Sequence, residues 1–205
     1  MAKIGLLGGT FNPPHLGHLA LAVHALDELD LDRVFLVPAR CTPNKRHNAT
    51  GAGPEQRAAM VRLLADGSEH VGVCTAELDR RGPSFTVDTL AAIHASKPDD
   101  ELTFILGADT ACTLASWREP RELLSLCALA VAAREGFERD AVEREVAAID
   151  ADAARALRFL DLGELDVSSS RVRELVAAGQ PVDELTGAGV ARYISEHGLY
   201  RDGGE

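Results

Sequence analysis

The sequence predicts an α/β fold: an open parallel sheet with helices on both faces. Three observations lead there. Short apolar runs alternate with longer helical segments along most of the 205 residues, the pattern of repeated βαβ units. The first apolar run ends in a corner dense in glycine, proline and histidine, "GGTFNPPHLGH" at 8–18, which opens directly into helical sequence. No internal repeat or low-complexity tract interrupts the alternation.

The elements follow in order. "KIGLL" at 3–7 is a short buried strand and "HLALAVHALDEL" at 18–29 a helix. "RVFLVPA" at 33–39 is a second strand, stopped by Pro38. "GPEQRAAMVRLLAD" at 53–66 is a helix with proline in its first turn. "HVGVCTAEL" at 70–78 reads as a third strand, "TVDTLAAIHA" at 86–95 as a helix and "ELTFILGAD" at 101–109 as a fourth strand. "CALAVAAR" at 127–134 is a fifth strand in spite of its alanines. An alanine-rich helix at 140–156 leads to a sixth strand, "LRFLDL" at 157–162. "SSSRVRELVAAG" at 168–179 is a helix opened by serines and closed by glycine, and "GVARYISEHG" at 189–198 is the last helix, with Gly198 at C′. Polar, small residues make 41–53 the expected flexible stretch, and 201–205 are expected to fray. The whole reads as one Rossmann-like domain over 1–205, with a C-terminal helical part at about 168–200.

Composition narrows the function. Hydrophobic residues are 46% and charged residues 26%, a globular balance with enough chain for a sizeable core. A net charge of −11 argues against a surface made for nucleic acid or anionic lipid, yet leaves room for a small basic pocket. The cysteines at 41, 74, 112 and 127 form no C-x-x-C pair, so they read as reduced thiols of a cytoplasmic protein. The apolar run near the start is too short for a signal h-region or a membrane span.

The corner at 8–18 carries the chemistry. Ligands of open parallel sheets bind beyond the carboxyl ends of the strands, and this corner sits at the end of the first. Gly8 and Gly9 allow a close backbone approach and unusual backbone angles, while Pro13 and Pro14 stiffen the turn. The free N–H groups of the following helix are a natural anion seat. His15 and His18, three apart, share one helix face and can donate to phosphate oxygens. Zinc is a rival reading of the pair, but no cysteine and no obvious third histidine lies nearby in sequence. The G-x-G-x-x-G dinucleotide fingerprint and the G-K-[ST] of a P-loop are both absent.

Four further stretches fit an anion site. "SSSRVR" at 168–173 offers hydroxyls, a helix start and, one turn in, the guanidinium of Arg173. "TPNK" at 42–45 places Lys45 in a polar loop. "RRGPSFTVDTL" at 80–90 is a turn running into a helix start. "LGADTACTLASW" at 106–117 puts Asp109 at a strand end, able to accept ribose hydroxyls, and holds the single tryptophan, Trp117, whose face can stack on a flat heterocycle.

Together these motifs resemble the nucleotidyltransferases that join an ATP-derived AMP to a phosphorylated acceptor, and within them the bacterial nicotinate-nucleotide adenylyltransferases. The likeness extends over most of the chain. It lies in the H-x-G-H corner, in "SSSRVR" against I-S-S-T-x-I-R, in "TPNK" against P-P-H-K, in "RRGPSFTVDTL" and in the closing "VARYISEHGLY". Ser170 stands for the usual threonine, Thr42 and Asn44 for Pro and His, and Phe85 for tyrosine. The resemblance implies ATP contacts at Gly8, Gly9, Thr10, Phe11, His15, His18, Lys45, Gly107, Asp109, Ser168, Ser169 and Arg173. It implies nicotinate mononucleotide contacts at Asn12, Phe85, Thr86 and Trp117, with catalytic weight on His15, His18 and Arg173. Mg²⁺ would come with ATP, and no dedicated protein metal site is implied. The expected reaction gives deamido-NAD and pyrophosphate. Nicotinamide mononucleotide or phosphopantetheine as acceptor, and a nucleotide-binding module without chemistry, are the alternatives. ATP and the mononucleotide are the expected partners, with no nucleic acid or membrane; a homo-oligomer is left open.

Overall fold

A computed structural model describes residues 1–41, 51–80, 82–133, 139–161, 163 and 167–201. Its strands are β1 (Lys3–Gly9), β2 (Arg33–Pro38), β3 (Val71–Val73), β4 (Glu101–Gly107), β5 (Ala128–Ala133) and β6 (Arg158–Asp161). They form one sheet in the order β3-β2-β1-β4-β5-β6. Pairing is parallel, with Lys3 opposite Glu101, Thr103 opposite Ala128 and Ala130 opposite Arg158. The chain winds outward in both directions from β1 and β4, the topology in which ligands collect at the carboxyl ends of the strands. Both central strands end in glycine, Gly9 and Gly107.

The long helices match the apolar periodicity: α1 (Leu16–Glu28), α2 (Pro54–Ala65), α4 (Thr86–Ser96), α7 (Arg139–Ile149), α9 (Ser169–Ala177) and α11 (Ala188–Glu196). Shorter ones are α3 (Ala76–Asp79), α5 (Ala108–Ala111), α6 (Pro120–Leu126), α8 (Ala151–Ala156) and α10 (Asp183–Thr186), with a 3-10 turn at Leu114–Ser116. Three expectations are corrected. The third strand stops at Val73, because from Ala76 the helix formers Ala, Glu and Leu turn the chain into α3. The helix expected over 140–156 is two helices, broken where the Asp150 carboxylate accepts from the N–H groups of Asp152 and Ala153 and starts α8 afresh. The fourth strand yields to α5 two residues early, and most of the flexible stretch expected at 41–53 lies outside the described residues.

The chain divides into two compact units. One comprises Met1–Gly8, Leu21–Phe35 and Phe85–Glu164. Its core holds Leu6, Ile105, Val131 and Leu160, all fully buried. There α4 packs on α6 and α7 on α8, and Glu145 of α7 accepts the Ala115 N–H at 3.0 Å. The other comprises Gly9–Ala20, Leu36–Ser84 and Leu165–Glu205. Its core is built where α2 packs against β3 and α11, with Met60, Val61, Val190 and Ile194 buried. Among the described residues no helix is long and apolar enough to cross a membrane.

Candidate active site

The histidine corner belongs to the second unit, and its geometry follows from its sequence. The β1 end is tied to the β2 end by Ala39 N–H donating to Gly9 O at 2.9 Å. Unusual backbone angles were expected at the glycines, but neither Gly8 nor Gly9 has positive φ; the left-handed residue is Phe11, at φ 51. A bulky side chain there costs about 1–2 kcal/mol. Burial offsets that cost, since Phe11 is 2% exposed and its ring lies 4.8 Å from that of His18. The glycines are needed for packing instead: a Cβ on Gly9 would come within 3.0 Å of the Phe11 ring, and one on Gly8 within 2.9 Å of Phe104. The Asn12–Pro13 peptide is cis.

His15 and His18 are brought face to face. Their ring centroids are 3.7 Å apart with planes at 34°. His15 precedes α1, and the His18 ring reaches back so that its Nδ1 accepts the His15 backbone N–H at 3.2 Å, while the His18 N–H donates to His15 O at 2.9 Å. This is a reciprocal cap made with an imidazole. It uses Nδ1 as acceptor and so leaves the proton of the neutral ring on Nε2, as a donor. Burial, and secondarily the adjoining His15 ring, push the His18 pKa down to about 3, so the ring is neutral at pH 7. Gly17 of the H-x-G-H run is required by contact: a Cβ there would meet Val167 at 2.8 Å and His15 Nδ1 at 3.0 Å.

The serine–arginine stretch lies on this corner. Ser168 caps α9 by accepting the Arg171 N–H at 3.1 Å. The Ser169 hydroxyl donates to Pro13 O at 2.8 Å, and Arg173 Nη1 donates to Asn12 O at 2.8 Å. Arg173 Nη2 donates to the Ser170 hydroxyl at 3.1 Å, so the serine that replaces threonine keeps a function for its oxygen. Each of the three serine hydroxyls therefore has a partner within the protein. Arg171, at the variable position, faces Glu174 at 3.8 Å on the surface.

Two residues that sequence reasoning did not single out complete the corner. Arg57 of α2 is 5% exposed and donates to Thr10 O at 2.6 Å, Ala39 O at 2.6 Å and Arg40 O at 3.1 Å. Its cation bridges the chain leaving β1 and the chain leaving β2. Burial lowers its pKa, but a guanidinium remains charged at neutral pH. Tyr200 donates to Asn12 Oδ1 at 2.7 Å.

Of the residues expected to serve the acceptor, Asn12 lies in the second unit and Phe85, Thr86 and Trp117 lie in the first. Phe85 stands at the N-cap of α4, with Thr86 as its first helical residue. The Arg118 guanidinium sits 4.9 Å over the Phe85 ring and pairs with Asp88 at 3.4 Å. Trp117 is half-buried, edge-on to Phe104 at 6.2 Å, with Nε1 donating to Thr113 Oγ1 at 3.2 Å. Asp109 and Gly107 are exposed at the end of β4, and a Cβ on Gly107 would meet nothing within 4 Å. Lys45, with Thr42 and Asn44, lies outside the described residues.

Residues 6–175 match the model of the cytidylyltransferase-like family. A probable nicotinate-nucleotide adenylyltransferase of Symbiobacterium thermophilum is 38% identical over 203 residues, covering 99% of this chain and 97% of that protein. One of Bordetella avium is 41% identical over 201 residues, covering 98% and 99%. The chain belongs to the cytidylyltransferase-like family, among its nicotinate-nucleotide adenylyltransferases. The fold agrees. The nicotinic acid mononucleotide adenylyltransferase of Plasmodium falciparum, solved in complex with NaAD, superposes with a TM-score of 0.76 at 20% identity, covering 98% of each chain.

Within this adenylyltransferase family member, the structure brings Asn12, His15, His18, Ser168, Ser169 and Arg173 into one cluster of bonded and stacked groups. Gly9, Thr10 and Phe11 form its floor. Arg57 and Tyr200 could not have been found from motif spacing. The available signs were an arginine on the otherwise apolar face of α2 and a tyrosine that ends the closing stretch "VARYISEHGLY", which by itself reads as packing.

Proposed function

We propose that this protein transfers AMP from ATP to nicotinate mononucleotide, giving deamido-NAD and pyrophosphate. The observation that carries the reading is the bond from Arg173 to the Asn12 carbonyl, which seats a guanidinium on the same corner as the paired imidazoles. The acceptor's 5′-phosphate attacks the α-phosphorus in line, the bond to the bridging oxygen of the leaving group breaks, and pyrophosphate departs. The nucleophile is already anionic, so no general base is required, and catalysis is positioning plus charge stabilisation.

His18 supplies a neutral Nε2–H donor to the α-phosphate, and His15 supports the adjoining oxygens. Arg173 takes the charge that builds on the pyrophosphate, with Lys45 at the far end of the triphosphate. The backbone around Gly8, Gly9, Thr10 and Phe11, and the helix start at Ser168 and Ser169, line the phosphate path. Gly107 and Asp109 serve the ribose. The backbone at Phe85 and Thr86 receives the pyridine carboxylate, Trp117 stacks on the ring, and Asn12 donates to the mononucleotide. The corner's groups are N–H donors and cations, which suit phosphate oxygens and not a hard cation. Among the described residues no group of three or more His, Cys, Asp or Glu is placed to hold a metal. Mg²⁺ would ride on the ATP oxygens and water, neutralising their charge. Such a reaction belongs to the cytoplasm, where NAD is made.

The test is pyrophosphate release from ATP and Mg²⁺ with three acceptors side by side. Nicotinate mononucleotide should turn over at least about tenfold faster than its amide, and phosphopantetheine not at all, because backbone N–H donors favour a carboxylate. Equal or better turnover of either rival acceptor would overturn the acceptor assignment. No pyrophosphate with any of them would leave a binding module.

A further inference from the structure

Asn12 is gripped from both ends of the residue. Its side-chain Oδ1 accepts the Tyr200 hydroxyl at 2.7 Å and the Ala52 N–H at 3.2 Å. Its main-chain carbonyl accepts Arg173 Nη1 at 2.8 Å. A backbone N–H can only donate, so Ala52 decides which way the amide faces: oxygen toward Tyr200 and Ala52, the NH₂ group away from both. Two donors occupy the two lone pairs of that oxygen. The fit leaves no slack, since a Cβ on Gly51 would lie 2.6 Å from Asn12 Nδ2.

Tyr200 is half-buried and left-handed, at φ 62, a conformation a tyrosine rarely keeps without a compensating contact. Burial raises its pKa, so the hydroxyl stays protonated and donating. It lies 188 positions from Asn12 in the chain, at the end of the closing stretch "VARYISEHGLY".

We propose that Tyr200 is a positioning residue for adenylyl transfer: its hydroxyl orients the Asn12 amide and so fixes the carbonyl on which Arg173 rests. The inference depends on the reading of the site given above. Tyr200 touches no substrate; it acts through Asn12 and Arg173. Its loss is therefore felt on the charge that Arg173 meets in the transition state and, through the Asn12 amide, on the mononucleotide, but not on ATP in the ground state.

Tyr200→Phe removes one oxygen and keeps the ring. With ATP, Mg²⁺ and nicotinate mononucleotide, kcat should fall on the order of tenfold and the mononucleotide KM rise, while the KM for ATP changes less than about twofold. In an Asn12→Ala background the same change should cost nothing further. In Asn12→Asp, which keeps an acceptor facing Tyr200, the dependence on the hydroxyl should return. Tyr193→Phe, on the ring stacked against His197, is the control and should leave kcat unchanged. Wild-type kcat in Tyr200→Phe, or an equal loss with and without Asn12, overturns the inference. So does a loss confined to KM together with a lowered Tm, which is packing alone. A wild-type protein that releases no pyrophosphate defeats the underlying reading and the inference with it. Normal wild-type turnover with an unaffected Tyr200→Phe defeats the inference alone.

Discussion

His18 does two tasks with its two ring nitrogens. Nδ1 closes the start of α1 by accepting the His15 N–H, and Nε2 is left to donate. The two tasks separate by substitution. His18→Ala and His18→Asn should both lower kcat by about 10²–10³, the usual cost of losing one transition-state donor. The alanine variant should also lose the helix-start bond, worth about 1 kcal/mol, and melt about 2–4 °C lower. Asparagine can still accept the His15 N–H and should melt nearer the wild type; steady-state kinetics with calorimetry reads both. The same ring predicts a pH dependence. Its pKa falls from 6.5 to about 3 in the folded protein. Between those values the unfolded chain takes up a proton that the folded one refuses, so stability present above pH 6.5 is lost as pH drops through that window. The slope of Tm between pH 7 and pH 5 should be shallower in His18→Asn. The residues from the sequence motifs that the structure gathers into one cluster, His15, His18 and Arg173, are polar side chains set in dense, ordered motifs. Arg57 and Tyr200 were not legible in this way, because each owes its role to carbonyls or an amide far away in the chain.

At the scale of the element, α2 is more than a packing helix. Through Arg57 it holds the carbonyls of Thr10, Ala39 and Arg40 and so fixes the spacing of two strand ends. Bonds from a buried cation are worth more than neutral ones, and the carbonyls it leaves would be unsatisfied. Arg57→Met should cost about 3 kcal/mol, seen as a lower urea midpoint with an unchanged m-value. Arg57→Lys should recover only part of it, because an ammonium cannot reproduce the planar fork. The main strands and long helices were legible from apolar periodicity, from Pro54 at N1 and from Ser168 as a cap. The short α3, α5, α6 and α10 were not: seven residues or fewer do not establish a 3.6 period. Nor was the break at Asp150, since an aspartate amid alanines fits a helix interior as well as a cap.

For the whole molecule, a chain of net charge −11 carries a cationic corner. Arg57 and Arg173 set a local positive field against that overall negative charge. All four cysteines are free thiols, none on a C-x-x-C pair. Burial pushes the Cys127 thiol up to about 12, and its Sγ donates to Leu123 O at 3.5 Å. Alkylation at pH 8 followed by mass spectrometry should label Cys127 last, and a reductant should leave Tm unchanged. The strand order was foreshadowed by βαβ alternation, but which strands would be central was not, since alternation leaves the winding direction open.

The bonds that finish the histidine corner span 156, 161 and 188 positions, to Ser169, Arg173 and Tyr200. Closing loops of that length comes late in folding, so the corner is held only after segments 156 to 188 positions away have docked on it. A folding chain in which α9 and Tyr200 have not yet docked has its imidazoles and no grip on the loop beside them, so the corner is completed by the contacts with the greatest loop-closure cost.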